Sequence, residues 1–172
     1  TAVITKSVDG NMTPDTIATT VALLDQLRVT NSATYGDIVI SAPILGGPNA
    51  GLVKDGVGTL VLTATNLYTG TTTINAGVLQ IGSGATAGAA AGTLSTASVI
   101  NGSAGATLVF KRTGSVTQGT EFGNVIDGAI NVTQAGFGTL ILNAANTYSG
   151  TTSVLVGGTL QIGANGATGS IN

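Results

Sequence analysis

Gly56-Val57-Gly58-Thr59-Leu60-Val61-Leu62 returns eighty residues later as Gly136-Phe137-Gly138-Thr139-Leu140-Ile141-Leu142. The same step carries Asn66 to Asn146, Tyr68 to Tyr148, and Gly70-Thr71-Thr72 to Gly150-Thr151-Thr152. After one inserted residue the match resumes, with Gly77-Val78-Leu79-Gln80-Ile81-Gly82 against Gly158-Thr159-Leu160-Gln161-Ile162-Gly163. Ordered identity at this many positions is an internal repeat, and such repeats belong to architectures built by stacking similar units.

A shorter cadence runs inside the long one. A small residue followed by Thr-Leu stands at Gly58, Gly92, Ala106, Gly138 and Gly158. Alternating apolar pairs punctuate the same stretches: Leu60/Leu62, Leu79/Ile81, Leu108/Phe110, Leu140/Leu142 and Leu160/Ile162. Period-two alternation marks strands with one buried face. Between them lie Thr-Gly, Asn-Ala-Gly, Gly-Ser-Gly and Asn-Gly clusters, which are turn chemistry. Short strands and frequent turns suit a sandwich, a barrel or a solenoid. Repetition selects the solenoid, because like coils stack like residues. The fold expected is all-β, a right-handed parallel β-solenoid in a single domain over 1–172. At about 20–25 residues per coil it would hold roughly seven or eight coils, about 35 Å in all. Leu60, Leu62, Leu79, Ile81, Leu140, Leu142, Leu160 and Ile162 are the expected core. The two Asn–Tyr pairs are expected at equivalent corners several coils apart.

Composition agrees. Only 7% of the 172 residues are charged and 3% aromatic, with no Trp, while Gly numbers 27. Val, Ile, Leu and Ala fit a narrow tube, and Gly and Asn supply its corners. A mean hydropathy of +0.46 belongs to a folded, well-buried chain. With a net charge of −2 and five scattered basic residues, no footprint for nucleic acid exists. No run of 18 apolar residues is present, so no membrane-inserted helix is expected. The start, Thr1-Ala2-Val3-Ile4-Thr5-Lys6, lacks the pattern of a signal peptide and does not begin with Met. That suggests a processed or excised chain.

Along the chain, 1–50 reads as N-terminal coils, 51–82 as a first strong repeat, and 83–129 as intervening coils. A second strong repeat follows at 130–163, and 164–172 looks like the start of a further coil. Thr13-Pro14-Asp15 with Ile17, Val21, Leu24 and Leu27 has the cap, first-turn proline and spacing of a helix. A short helix is therefore predicted over about residues 15–25, with strands entering near Leu27-Arg28-Val29 and Ile38-Val39-Ile40.

The pattern Gly-x-Gly-Thr-Leu-x-Leu-x-x-x-Asn-x-Tyr-x-Gly-x-Thr, followed by Gly-x-Leu-Gln-Ile-Gly, resembles the autotransporter-associated β-strand repeat of passenger regions in large secreted bacterial proteins. Ala106 to Ser115 is similar to segments between such repeats. Residues 16–44 resemble, more weakly, a coil of filamentous-haemagglutinin-like proteins through Tyr35-Gly36-Asp37-Ile38-Val39-Ile40. The resemblance implies an exported β-helix at the bacterial surface or outside the cell. It does not imply one activity, since passengers include adhesins, proteases and stalks. The translocator barrel of an autotransporter is not in this stretch, which leaves an excised passenger fragment or a stand-alone subunit.

With no His and no Cys, Ser-His-Asp triads, His bases and His/Cys metal sites are excluded. Gly56-Val57-Gly58 lacks the third glycine of a dinucleotide fingerprint. The carboxylates Asp9, Asp15, Asp25, Asp37, Asp55, Glu121 and Asp127 are the only acid–base groups left for polysaccharide cleavage. Turn and helix-start chemistry accounts for Asp15, Asp37, Asp55 and Asp127. Asn66 and Asn146 read as corner residues and Tyr68 and Tyr148 as corner packing, with glycan contact the alternative for both. Lys111-Arg112 reads as a solvated strand end. No catalytic, metal-ligating or cofactor-binding residue is assigned, and no cofactor is expected.

The expected function is a non-catalytic extracellular rod, as a head-to-tail stacked fibre subunit or a stalk segment of a secreted bacterial surface protein. A glycan- or host-binding adhesin segment is the alternative, with candidate loops after Gly82 and Gly114, and a polysaccharide-acting enzyme comes third. The expected partners are copies of itself or flanking repeats, joined through the open solenoid ends.

Overall fold

The computed structural model describes residues 1–7, 12–84, 92–123, 125–164 and 169–171. The chain winds through about six turns of a β-solenoid. The first coil holds β1 (Ala2–Lys6), β2 (Asp15–Ile17) and β3 (Val21–Leu23), and the second holds β4 (Leu27–Asn31), β5 (Ile38–Ile40) and β6 (Ile44–Gly46). The third carries β7 (Leu52–Asp55) and β8 (Thr59–Leu62), and the fourth β9 (Thr72–Ile74) and β10 (Val78–Ile81). Next come β11 (Ile100–Gly102), β12 (Thr107–Phe110) and β13 (Val116–Thr117), then β14 (Ile126–Gly128), β15 (Asn131–Gln134) and β16 (Thr139–Leu142). β17 (Thr152–Val154) and β18 (Thr159–Ile162) lie on top.

Three sides result. The first is the six-stranded sheet β1-β4-β7-β9-β11-β14 and the second the seven-stranded β17-β15-β12-β10-β8-β5-β2. The third is less continuous. It has the pair β3-β6, a single bridge between Thr65 and Thr93, and the three-stranded β13-β16-β18. Each of these strand pairs is parallel, so each coil lays its strands over those of the coil before.

Register turns the alternating pattern into columns. On the second side Ile38, Leu60, Leu79, Leu108 and Val132 stack, and beside them Ile40, Leu62, Ile81 and Phe110. All nine are buried and belong to one continuous core. Fully burying each such side chain contributes roughly 1.5–3 kcal/mol. The same core holds the two buried Phe rings, Phe110 and Phe122, with centroids 4.7 Å apart. Of the expected core, Leu60, Leu62, Leu79, Ile81, Leu140 and Leu142 are fully enclosed, whereas Leu160 is half-buried and Ile162 is 42% exposed. The cause is position: β18 ends its sheet, and no described strand stacks on it.

Two further expectations change. The predicted helix over residues 15–25 is replaced by β2 and β3. Asp15 N donates to Asp37 O at 2.9 Å and Val21 N to Pro43 O at 3.0 Å, so the next coil offers the backbone its partners. Thr16, Ile17, Thr19, Thr20 and Val21 are all β-branched, and lose side-chain freedom in a helix but not in a strand. The number of turns is nearer six than seven or eight because coil length varies. Leu27 pairs with Leu52 and Leu79 with Leu108, spacings of twenty-five and twenty-nine residues, while Leu52–Thr72 and Leu140–Leu160 are twenty apart.

Sequence repeat and coil are out of phase. The column through Leu60 reaches Val132 three coils on, and Leu140 lies in the following strand, on the third side. The repeat therefore runs from first to second side in its first copy (β7, β8) and from second to third side in its second (β15, β16).

Leu140→Asp places an unpaired carboxylate in the closed part of this core. Unfolding followed by circular dichroism should show a loss on the order of 3–5 kcal/mol, with the melting midpoint roughly 10 °C lower. An unchanged midpoint would contradict the burial of Leu140.

Candidate functional site

The polar groups that distinguish this chain lie at its corners and ends. Alternation sends positions 52 and 54 inward on β7, and 132 and 134 inward on β15. Lys54 and Gln134 are thus core residues at the ends of their strands, and both are buried. Each turns its polar tip onto the corner that follows. Lys54 Nζ donates to the carbonyls of Asp55 (2.8 Å), Gly56 (2.8 Å) and Ala76 (3.2 Å). Gln134 Nε2 donates to those of Gly136 (3.3 Å) and Gly138 (2.7 Å). Asn31, also buried, does the same for Gly36 and Thr59 and accepts from Ala33 N. A corner turned toward a core has carbonyls that leave the ladder, and such groups are costly unless bonded; Gly138 O differs in also accepting from Thr159 N.

The Gly-x-Gly signature belongs to these corners. A Cβ on Gly58 would sit 2.4 Å from Ala33 O and one on Gly138 2.1 Å from Gly114 O, so the backbones of successive corners lie directly on one another. Gly56 adds a φ of 76°, which disfavours any side chain there. The signature serves packing of coil on coil.

Asn66 and Asn146 join three coils each. Asn66 Oδ1 accepts from Ile44 N (3.0 Å) in the coil below, while Nδ2 donates to Thr93 O (2.8 Å) above and to Ala64 O. Asn146 accepts from Ile126 N (2.9 Å) and donates to Ser170 O (3.1 Å) and Ala144 O (3.2 Å). It also exchanges amide hydrogen bonds with Gln118, whose Oε1 accepts from Asn143 and Ala144 N. The expectation of equivalent corners holds locally and fails globally, because Ile44 is on the third side and Ile126 on the first. Tyr68 and Tyr148 are fully buried, so neither presents a ring to a sugar. Their hydroxyls bond Thr72 Oγ1 (2.8 Å) and Thr152 Oγ1 (2.6 Å), and Thr72 continues to Ser98. Burial pushes both phenols above their usual pKa.

The carboxylates are spread over the molecule. Asp15 pairs with Lys6, Asp25 with the terminal amine, Asp55 with Arg28 and Asn75, and Glu121 with Arg112 and Thr117 N. Asp127 accepts from Thr147 and Asn101, which lowers its pKa. Asp15 opens a strand rather than a helix, and Asp55 ends one. Asp9 lies outside the described residues, as does most of the loop after Gly82. Among the described residues no group of three or more His, Cys, Asp or Glu is placed to hold a metal. Arg112 corrects the reading of Lys111-Arg112 as a solvated end, since its side chain is 11% exposed and meets Glu121 at 2.8 Å. Lys111 stays exposed. Lys54, Gln134 and Gln118 were not singled out in the sequence. The first two stand eighty residues apart at inward positions, and that was the signal available.

Among the positions that recur at the eighty-residue step, Asn66 and Asn146 bond one coil to its neighbours, and Tyr68 and Tyr148 bond a threonine four residues on. Residues 52–81 and 132–162 match the family model of the passenger-associated-transport-repeat. The match is thus to two segments of the chain, eighty residues apart at their starts. Neither a curated protein nor a solved structure matched the chain. The first passenger repeat spans β7 to β10 and the second β15 to β18, each about one coil of strand, corner, strand and Asn–Tyr link followed by the next coil's two strands.

Lys54 gives a pH signature. Burial lowers its pKa from 10.5 to about 8, partly offset by the Asp55 carboxylate. Below pH 8 the amine is charged folded and unfolded. From 8 towards 10.5 the folded state releases the proton first, so stability rises by up to about 1.4 kcal/mol per pH unit. The Tyr residues act oppositely once unfolded phenols ionise near 10, so the window is pH 8 to 9.5. Melting midpoints should rise across that window in the parent chain and stay flat in Lys54→Gln, which copies the second repeat. Asn146→Ala should cost about 2–3 kcal/mol in chemical denaturation, because Ile126 N loses its acceptor inside the wall.

Proposed function

We propose that the chain is a non-catalytic structural segment of a secreted bacterial surface protein. It would form part of a rigid passenger rod, extended through its open ends by flanking coils or by copies of itself. The carrying observation is that the repeated Asn66 and Asn146 bond coil to coil, while Lys54 and Gln134 are turned inward onto the carbonyls of the corners that follow them. A passenger repeat implies export, and a wall closed by its own hydrogen bonds suits a stalk outside the cell. The absence of His and Cys and the dispersed carboxylates, four of them ion-paired, support a role without catalysis.

The reading is tested by exporting the chain ahead of an autotransporter barrel in a Gram-negative host. It should appear at the surface, resist added protease, bind no member of a glycan array and release no reducing ends from polysaccharides. Retention inside the cell removes the passenger role. Specific glycan binding would favour the adhesin, and released reducing ends the enzyme.

A further inference from the structure

Asn101-Gly102 is the one Asn-Gly step among the described residues, and it stands in the middle of the wall. In β11 the side chain of Asn101 points outward and is exposed, while Gly102 faces inward and is buried. Packing explains the glycine. A Cβ at Gly102 would lie 2.6 Å from the Cβ of Ile130, itself a fully buried core residue. The residue after Asn101 is therefore held to glycine, and a glycine nitrogen meets the least crowding when it approaches the side-chain amide carbon of the residue before it. The core thus imposes a chemically labile dipeptide on an exposed face.

The strand holds the reacting groups apart. Asn101 pairs in register with Thr73 on one side and Asp127 on the other, and Gly102 with Ile74 and Gly128. Backbone hydrogen bonds bracket the step. Ile100 N donates to Val125 O (3.0 Å), Ser103 N to Ile74 O (2.9 Å) and Ala129 N to Gly102 O (2.8 Å). Ring closure needs Gly102 N to swing onto Asn101 Cγ, a rotation that extended backbone held in a two-sided ladder does not permit. Water reaches the Asn101 side chain freely, so only the backbone guards it.

We propose that Asn101 is a self-modification site gated by folding, converted to aspartate and isoaspartate while the chain is unfolded and preserved once β11 is paired on both edges. Gly102 N gives its proton to solvent base and attacks Asn101 Cγ. The Cγ–Nδ2 bond breaks, and the amide nitrogen takes a proton from water and leaves as ammonia. A second water opens the cyclic imide, at Cγ to give aspartate or at the main-chain carbonyl to give isoaspartate. Both products weaken the wall. Asn101 Nδ2 donates to Asp127 Oδ2 at 3.4 Å, and a carboxylate in its place sets like charges directly opposite each other on neighbouring strands. Isoaspartate also routes the main chain through a side-chain carbon, and the added atom shifts Gly102 out of register with Ile74 and Gly128. Time spent unfolded thereby leaves a lasting mark on the chain. The inference stands apart from the passenger reading.

The test ages the 172-residue chain in mildly alkaline buffer, folded and in guanidinium chloride, and follows it by tryptic digestion and mass spectrometry. No basic residue lies between Lys54 and Lys111, so Asn101 falls in the peptide 55–111, apart from Asn165-Gly166 in 113–172. In denaturant that peptide should exchange amide nitrogen for oxygen at least about tenfold faster than in the folded chain, with the change placed at residue 101 by fragmentation. Asn101→Gln should suppress the exchange. Asn101→Asp, which supplies one product directly, should melt roughly 2 °C below the parent. The rate comparison needs no variant and decides the gating by itself. Equal rates in the folded and unfolded chain, exchange in 55–111 that persists in Asn101→Gln, or an Asn101→Asp chain that melts with the parent would each overturn the proposal.

Discussion

A coil in this molecule cannot close its own hydrogen bonds. Its strands donate and accept only along the solenoid axis, so each coil must hand the next one the same three edges at the spacing of neighbouring strands, about 4.8 Å. Where strands run, the ladder does this unaided. At corners the backbone leaves the ladder, and carbonyls turn inward where water does not reach. Asn31, Lys54 and Gln134 meet that need from inside. Asn66 and Asn146 meet it between coils. The apolar columns supply the driving force for collapse, and these amides and one amine decide which register the collapse adopts.

The chemistry of the bonding group is interchangeable within limits. The inward corner position holds an ammonium in the first passenger repeat and an amide in the second, and both point at glycine carbonyls of the Gly-x-Gly corner. The ammonium makes three bonds to carbonyls, one of them that of Gly56, and carries a charge into the wall, which depresses its pKa. Donor capacity, reach and burial are what the site requires, and sequence identity at the position is not.

Much of this was legible beforehand. Alternation at Leu60/Leu62, Leu79/Ile81 and Leu140/Leu142 located strands, core and stacking, because a period of two admits one inward face only. The helix over 15–25 misled because a cap, a proline and i, i+4 spacing are local signals, whereas the strand partners of Asp15 and Val21 are the carbonyls of Asp37 and Pro43, a coil away. Leu160 and Ile162 obey the pattern, yet stay open because burial in a solenoid comes from the next coil and not from the residue's own strand. The side on which each repeat falls was illegible for a related reason. Phase accumulates from every intervening coil length, and coils of twenty to twenty-nine residues occur in this one chain.

That phase has a consequence for what such a wall shows to its surroundings. Eighty residues advance the repeat by three coils and one further side, which is a screw operation rather than a translation. Val57 and Phe137, the exposed outer-corner residues of the two copies, accordingly stand on different edges of the prism. An array propagated at this step would wind its corner groups around the shaft, returning to the first edge at every third copy. Anything approaching from the side would then meet one such group per three repeats, whatever the rotation of the shaft, and no flank would be left bare.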